Sequence, residues 1–301
     1  MTNSASSLDE TPVIFSCSNK QLMGVAHSAE SDSNRGVVIV VGGPQYRVGS
    51  HRQFLLLARG LAAQGIPVFR FDCRGMGDSE GEFPGFENID EDIHAAINTF
   101  FELVPTIKEV VIWGLCDGAS AASFYAPSDP RVVALVLANP WIRTEQGEAK
   151  AYLKHYYLSR LMNKEFWSKL VSGKFDLSGS LRSLMSLCQK SFNTQTKSES
   201  PVLEHNAELP AGLNNLSLPD RFYQSLKSFP NSVLLIISGN DLTAAEFLDV
   251  INAEKRWRKI TKSQNCHQKT LPEADHTFSK RSSMDEVIDC TYEFVSRIKS
   301  S

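Results

Sequence analysis

The sequence has no long run of charge of either sign, no C-x-x-C pair and no stretch of 18 consecutive apolar residues. Its net charge of -3 and pI near 6.2 give no reason to expect nucleic acid or an anionic membrane surface as a partner. The missing apolar run predicts no membrane span, and the first residues, MTNSASSLDETP, lack the basic and apolar regions of a secretory signal. We therefore expect a cytoplasmic protein that acts on a small molecule.

Six cysteines are spread along the chain without the close spacing that a zinc site or a disulfide framework requires. In a reducing compartment they are expected to be free thiols, and nothing in the sequence indicates a metal ion or an organic cofactor. Cys116 is set apart by its neighbours, whereas the others are interpreted as small apolar side chains. These five are Cys17, Cys73, Cys188, Cys266 and Cys290.

Apolar and amphipathic stretches alternate along most of the sequence. Two short strands at 12–17 and 21–29 have the period-two pattern of an antiparallel pair, and fully apolar strands separated by helical patterns follow them. Because parallel strands need crossover connections, the alternation predicts a doubly wound α/β fold with a mostly parallel sheet. The later strands are predicted at 36–43, 66–75, 109–115, 132–140, 232–241 and 267–272, and the helices at 51–65, 89–104, 119–126, 244–260 and 284–299.

The alternation is interrupted between residues 141 and 230. Two amphipathic segments there are followed by a polar stretch that contains proline and asparagine. An interval of this length between core strands is far longer than an ordinary loop. We therefore expect residues 1–140 and 231–301 to form the core and residues 141–230 to form an inserted helical cap.

The stretch VVIWGLCDGASAA, residues 110–122, runs from a strand through G-x-C-x-G into a helix. Glycines stand two residues on either side of Cys116, as a sharp strand-to-helix turn requires because it leaves no room for side chains. Asp241 follows a later strand, and His276 follows the last short strand. All three residues are thus predicted at the carboxyl ends of strands, where function concentrates in an open α/β sheet.

The chain order of Cys116, Asp241 and His276, together with the stretch FDCRGMGDSEG, resembles the α/β-hydrolase superfamily. More narrowly, the sequence resembles the exosortase A system-associated hydrolase type 1 family in four stretches, GGPQYRVGSHRQF, FDCRGMGDSEG, WGLCDGAS and SGNDLTAAEF. The resemblance to the superfamily extends over essentially the whole chain, and nucleophile, acid, histidine is the order of the catalytic residues in that superfamily. A cysteine nucleophile is compatible with it, since dienelactone hydrolases carry one at the same turn. The narrower resemblance associates the protein with protein sorting and exopolysaccharide export.

An acyl-enzyme mechanism needs a thiolate and donors for the oxyanion. The helix start after Cys116 favours the thiolate, whereas Asp117 opposes it unless its carboxylate points away or is paired. The backbone N–H of Asp117 is expected to be one oxyanion donor. The other normally comes from the turn after the third strand, where this chain has Gly43 and then Pro44, which has no N–H. Either Gln45 donates from its backbone or its amide, or the hole is incomplete.

These residues predict an esterase, a thioesterase or an acyltransferase. Cys116 would attack the acyl carbon, His276 would act as general base and then acid, and Asp241 would orient the imidazole. Asp241 has an alternative interpretation as a helix N-cap, in which case Glu246 is the candidate acid. The rival hypothesis is a non-catalytic α/β-hydrolase-fold protein that binds an acyl or glycolipid ligand or a protein partner. The oligomeric state is left open.

Simpler roles are assigned to several other polar residues. Tyr46 and Arg47 are expected to be exposed on the oxyanion turn, where Tyr46 is a candidate for substrate contact. Asp72 and Arg74 are expected to fix a turn after the fourth strand. The three acids at 90–92 are expected to form a solvated helix start that suits the helix dipole.

Overall fold

An eight-stranded sheet forms the centre of the protein. The computed structural model describes residues 10–29, 33–142 and 216–298. The sheet has the strand order β1-β2-β4-β3-β5-β6-β7-β8. Only the β1–β2 and β2–β4 pairs are antiparallel, and every other pair is parallel. The strands are β1 Glu10–Cys17, β2 Lys20–His27, β3 Arg35–Val40, β4 Val68–Phe71, β5 Glu109–Leu115, β6 Val132–Ala138, β7 Ser232–Asn240 and β8 Cys266–Asp275.

Helices cover both faces of this sheet. Along β5, Val110 and Ile112 belong to one hydrophobic cluster while Val111 and Trp113 belong to the other, as expected for a strand buried on both sides. Helices α1 and α7 contribute to the cluster of Trp113, and α2 to α6 contribute to that of Ile112. The helices are α1 Gln53–Ala63, α2 Asp90–Leu103, α3 Asp117–Tyr125, α4 Leu218–Ser228, α5 Leu242–Ala253, α6 Lys255–Thr261 and α7 Arg281–Arg297. The predicted doubly wound, mostly parallel α/β fold is confirmed.

Helix α1, predicted at 51–65, ends at Ala63, two residues before a glycine. Gly65 has a φ of +88°, a left-handed conformation that a residue with a β-carbon rarely adopts. The N–H of Gly65 donates to the Ala62 carbonyl, and the N–H of Ile66 donates to the Leu61 carbonyl, each at 3.0 Å. These bonds satisfy carbonyls at the helix end and turn the chain into β4.

The helix predicted at 244–260 is two helices in the structure. Glu254 between α5 and α6 has extended backbone, with φ −115° and ψ 134°. The break lets Trp257 be fully buried against the rings of Tyr223 and Phe222 on α4, with centroid distances of 5.1 and 6.2 Å. Tertiary packing of a large aromatic side chain overrides the helical pattern here, because neither glycine nor proline marks the break.

The predicted cap lies mostly outside the described residues. Of the range 141–230, the structure describes residues 141–142 and 216–230, so the cap itself stays a prediction. Helix α4 lies in the same compact unit as the sheet and buries Phe222 and Leu226 in the larger hydrophobic cluster. Within the described ranges, no helix combines the length and hydropathy needed to cross a bilayer.

Candidate active site

Cys116 occupies a strained turn between β5 and α3. Its φ of 60° and ψ of −126° lie in a backbone region that residues other than glycine rarely adopt. Its side chain is half-buried. A β-carbon on Gly114 would lie 2.5 Å from the Gly118 carbonyl oxygen, and one on Gly118 would lie 2.7 Å from the Val40 carbonyl oxygen. Both glycines are therefore required sterically, and together they hold Cys116 at the carboxyl end of the central strand.

Asp241 follows β7 and combines the two roles that the sequence left as alternatives. Its Oδ1 and Oδ2 accept hydrogen bonds from the backbone N–H groups of Thr243 and Ala244, both at 3.1 Å, which caps α5. Its Oδ2 also lies 2.7 Å from Nδ1 of His276. The carboxylate is 6% exposed, so both sets of hydrogen bonds act away from bulk water. Glu246, the alternative acid, lies on the same helix and is buried.

His276 lies between Asp241 and Cys116, with 31% of its side chain exposed. Because Nδ1 faces Asp241, Nε2 is the ring nitrogen left for the hydrogen bond with the Cys116 side chain. Burial lowers the pKa of His276, but the hydrogen bonds and charges of Asp241 and Cys116 outweigh it and raise that pKa from 6.5 to about 10. The structure thus brings the three predicted residues together around one imidazole ring.

Asn139 is a site residue that the sequence reasoning missed. It is fully buried after β6, and its Nδ2 donates to the carbonyl oxygen of His276 at 3.1 Å and to Oγ of Ser238 at 2.9 Å. Its Oδ1 accepts the backbone N–H of Ser238 at 2.8 Å. Its φ of +43° is one that asparagine tolerates better than most residues. These bonds join the ends of β6 and β7 to the segment that carries the histidine.

The Asp117 carboxylate points toward the turn after β3. Its Oδ1 accepts the backbone N–H of Gly43 and, at 3.0 Å, that of Gly118. Burial raises the pKa of Asp117, and these hydrogen bonds oppose the increase. A β-carbon on Gly42 would lie 2.1 Å from the carbonyl oxygen of Leu115, so the turn and the nucleophile segment are in direct contact. Of the two arrangements that the sequence left open for Asp117, the structure contains the paired one.

The other residues predicted at the oxyanion turn differ in their exposure. Gln45 is half-buried, and its backbone N–H donates to the carbonyl oxygen of Gly43 at 2.8 Å. Tyr46 is 45% exposed, as expected for a residue available to a ligand. Gly43, Gln45 and Asp117 line one small cavity together with apolar residues that include Phe83.

Two expectations about charged residues are wrong. Arg47 is largely buried because its guanidinium pairs with the buried Asp72 and with Asp78. Asp92 is fully buried rather than solvated, because the backbone N–H and the guanidinium of Arg74 donate to its carboxylate. In both cases a paired arginine compensates the loss of hydration of a carboxylate. The part of the chain that is described has no group of three or more His, Cys, Asp or Glu side chains able to hold a metal ion.

One family spans this site and most of the chain. The family described as serine aminopeptidase, S33, matches residues 32–279, which include Cys116, Asp241 and His276. The chain belongs to this family. It is therefore an α/β hydrolase, as the sequence predicted. The residue at the strand-to-helix turn is Cys116, whereas the description of the family names serine. The resemblance to the exosortase-associated family stays a prediction.

A curated protein and its solved structure are similar to this chain. A curated protein, the polyketide transferase GrgF of a Penicillium species, is 30% identical over 117 residues, which are 36% of this chain and 38% of that protein. The match thus spans little more than a third of the length of this relative. The solved structure of GrgF from Penicillium sp. sh18 has a TM-score of 0.59 at 17% identity, covering 97% of this chain and 99% of that chain.

Two esterases have similar folds. Pyrococcus furiosus esterase Pf2001 has a TM-score of 0.64 at 17% identity, and the match covers 100% of this chain and 95% of that chain. Est1E from Butyrivibrio proteoclasticus, solved with ferulic acid bound, has a TM-score of 0.60 at 13% identity, covering 95% and 98% of the two chains. At these identities the likeness shows the fold alone.

Proposed function

We propose that this protein is an acyl hydrolase that uses Cys116, His276 and Asp241 to cleave an ester or thioester through an acyl-enzyme. The observation that carries the proposal is the contact of His276 with both partners. Asp241 holds Nδ1 at 2.7 Å, and the opposite ring nitrogen is directed to the thiol. A binding protein has no need for a nucleophile, a base and an orienting acid in this order.

The first half of the reaction acylates the thiol. Cys116 Sγ transfers its proton to His276 Nε2 and bonds to the acyl carbon, while the carbonyl π electrons move to oxygen. The backbone N–H of Asp117, next to the nucleophile, is one donor to that oxyanion. When the C=O bond re-forms, the bond to the leaving alcohol or thiol breaks, and the leaving group takes the proton from His276.

The second half of the reaction hydrolyses the acyl-enzyme. Water gives a proton to His276 and attacks the thioester carbon. Collapse of this second oxyanion breaks the C–S bond, and Sγ recovers a proton from His276. Asp241 fixes the tautomer and stabilises the imidazolium in both halves. An alcohol or amine in place of water would make the same intermediate a substrate for acyl transfer.

The relatives support the class of chemistry. Two structural neighbours are named esterases, and the curated relative is named a polyketide transferase. Ester hydrolysis and transfer of an acyl group differ here only in the acceptor that attacks the acyl-enzyme. The resemblance to the exosortase-associated family leads us to propose sorting or exopolysaccharide metabolism as the setting.

The proposal is tested by trapping the acyl-enzyme. The full chain is treated with p-nitrophenyl acetate, and the modified peptide is identified by mass spectrometry. The expected product is a single acetyl group on Cys116. It should be absent in Cys116→Ala and much slower to form in His276→Ala, because the base is missing. Cys290→Ala, which removes another half-buried thiol, is the matched control and should label as the wild type does.

Three results would contradict the mechanism. Labelling that persists in Cys116→Ala would assign the nucleophile to another residue. Equal labelling rates in the wild type and His276→Ala would exclude the histidine as the base. If the wild type binds acyl compounds without forming any covalent product, the rival hypothesis of a binding protein takes the place of the enzyme.

A further inference from the structure

Residues 43–45 of the turn after β3 leave no backbone N–H for an oxyanion. Pro44 has none. The N–H of Gly43 donates to Oδ1 of Asp117, and the N–H of Gln45 donates to the carbonyl oxygen of Gly43. Among these three residues, a second oxyanion donor can therefore come only from the side chain of Gln45.

The Gln45 side chain is fixed by two hydrogen bonds to its oxygen. Oε1 accepts the backbone N–H of Ser50 at 2.8 Å and Nε2 of Gln53 at 3.1 Å. The backbone N–H of Ser50 is only a donor, so it identifies the accepting atom of the amide as oxygen. Nε2 is then the opposite end of the group, and within the described ranges it donates to no protein acceptor. Its orientation is set before any ligand arrives.

Nε2 of Gln45 lies beside the open face of Gly43. A β-carbon built on Gly43 would be 3.9 Å from this nitrogen, with no other heavy atom of the described residues within 4 Å beyond its chain neighbours. Gly43, Gln45 and Asp117 also line one small cavity together. The amide of Gln45 and the segment that follows the nucleophile thus face the same small space.

We infer that the side-chain amide of Gln45 is the second oxyanion donor, acting together with the backbone N–H of Asp117. The inference rests on the proposed acyl-enzyme mechanism and adds to it a catalytic residue. A fixed amide N–H lowers the barrier only for steps in which the carbonyl oxygen gains charge. Loss of Gln45 should therefore slow acylation and leave reactions without an oxyanion unchanged.

Two reactions of the same thiol separate these effects. Acylation by p-nitrophenyl acetate forms an oxyanion, whereas alkylation of Cys116 by iodoacetamide displaces iodide at a saturated carbon and forms none. In Gln45→Met we expect acylation to slow about 10²–10³-fold, the loss typical of one oxyanion donor, with an unchanged alkylation rate. Gln45→Glu keeps an acceptor for Ser50 and Gln53 but has no N–H, so it should slow acylation at least as much.

The matched control is Gln64→Met, the same replacement at an exposed position after α1, which should change neither rate. Acylation at the wild-type rate in both Gln45 variants would overturn the inference, and so would a parallel fall in acylation and alkylation, which indicates a structural role. If the wild type acylates at Cys116, such results refute the Gln45 assignment alone. If the wild type never acylates, the proposed function fails and the assignment fails with it.

Discussion

Asp241 offers a direct test of how one carboxylate serves both the fold and the site. It accepts hydrogen bonds from Thr243 and Ala244 at the start of α5 and from His276, and it is 6% exposed. Asp241→Asn keeps one side-chain oxygen, which can still accept a hydrogen bond at the helix cap. The other oxygen becomes an amide NH₂ group, which cannot accept a hydrogen bond from a backbone N–H or from His276. Asp241→Ala removes every one of these hydrogen bonds.

The two variants should separate stability from catalysis. Loss of the N-cap in Asp241→Ala costs about 1–2 kcal/mol, and each kcal/mol lowers Tm by about 2–4 °C in a domain of this size. Asp241→Asn should keep most of that stability. Both variants should lose about 10²–10⁴ in kcat/KM, or about 3–5 kcal/mol of transition-state stabilisation, because His276 loses its orienting partner.

The assay combines ester hydrolysis with thermal unfolding, and Glu246→Gln on the same helix is the control. Glu246→Gln should keep wild-type kcat/KM, because Asp241 rather than Glu246 contacts the histidine. If Asp241→Asn hydrolyses esters at the wild-type rate, Asp241 is only a helix cap. If Glu246→Gln causes the larger loss, the acid has been assigned to the wrong residue.

Three further outcomes follow from the site. Because the pKa of His276 rises from 6.5 to about 10 on folding, the stability that it contributes is complete below about pH 6.5 and is lost as pH rises toward 10. Denaturation measured between pH 6 and 10 should show a smaller loss of unfolding free energy in Asp241→Asn than in the wild type. Asn139→Ala leaves the buried N–H of Ser238 without its acceptor, which costs about 1–3 kcal/mol, and calorimetry should show the lower Tm. Gly42→Ala forces a β-carbon to within 2.1 Å of the Leu115 carbonyl oxygen, so acylation should fall more than alkylation as the oxyanion turn shifts; equal rates in this variant and the wild type would contradict that reasoning.

The features that the sequence predicted well depend on neighbours along the chain. The turn around Cys116 needs only Gly114, Gly118, a strand before it and a helix after it, all within a short stretch. The buried strands have the apolar runs typical of parallel sheets, and Gly65 marks the end of α1. Since parallel strands place their carboxyl ends at one edge, the positions of Asp241 and His276 after strands also predicted that they would meet.

The features that the sequence did not predict are contacts between distant segments. Arg47 forms an ion pair with Asp72 from a different loop. The sequence predicts Asp92 to be a solvated acid at a helix start, but it forms a buried ion pair with Arg74. Asn139 has no motif around it, and its role depends on the meeting of β6, β7 and the histidine segment. Composition and periodicity predict which residues are apolar, but they do not identify the partner of a buried polar group.

Substitutions of Asp117 and Gln45 are expected to have coupled effects on the acylation rate. Because Oδ1 of Asp117 accepts the N–H of Gly43, Asp117→Ala releases a backbone donor close to the one proposed on Gln45. If both N–H groups reach the oxyanion, Gln45→Met should cost about 10²–10³-fold in acylation alone but only about 10-fold in the Asp117→Ala background. The four rates of this double-mutant cycle, each measured beside iodoacetamide alkylation, give the coupling. Equal costs in both backgrounds would mean that the Gly43 N–H does not face the oxyanion, so Asp117 would act only by joining the turn to the nucleophile segment.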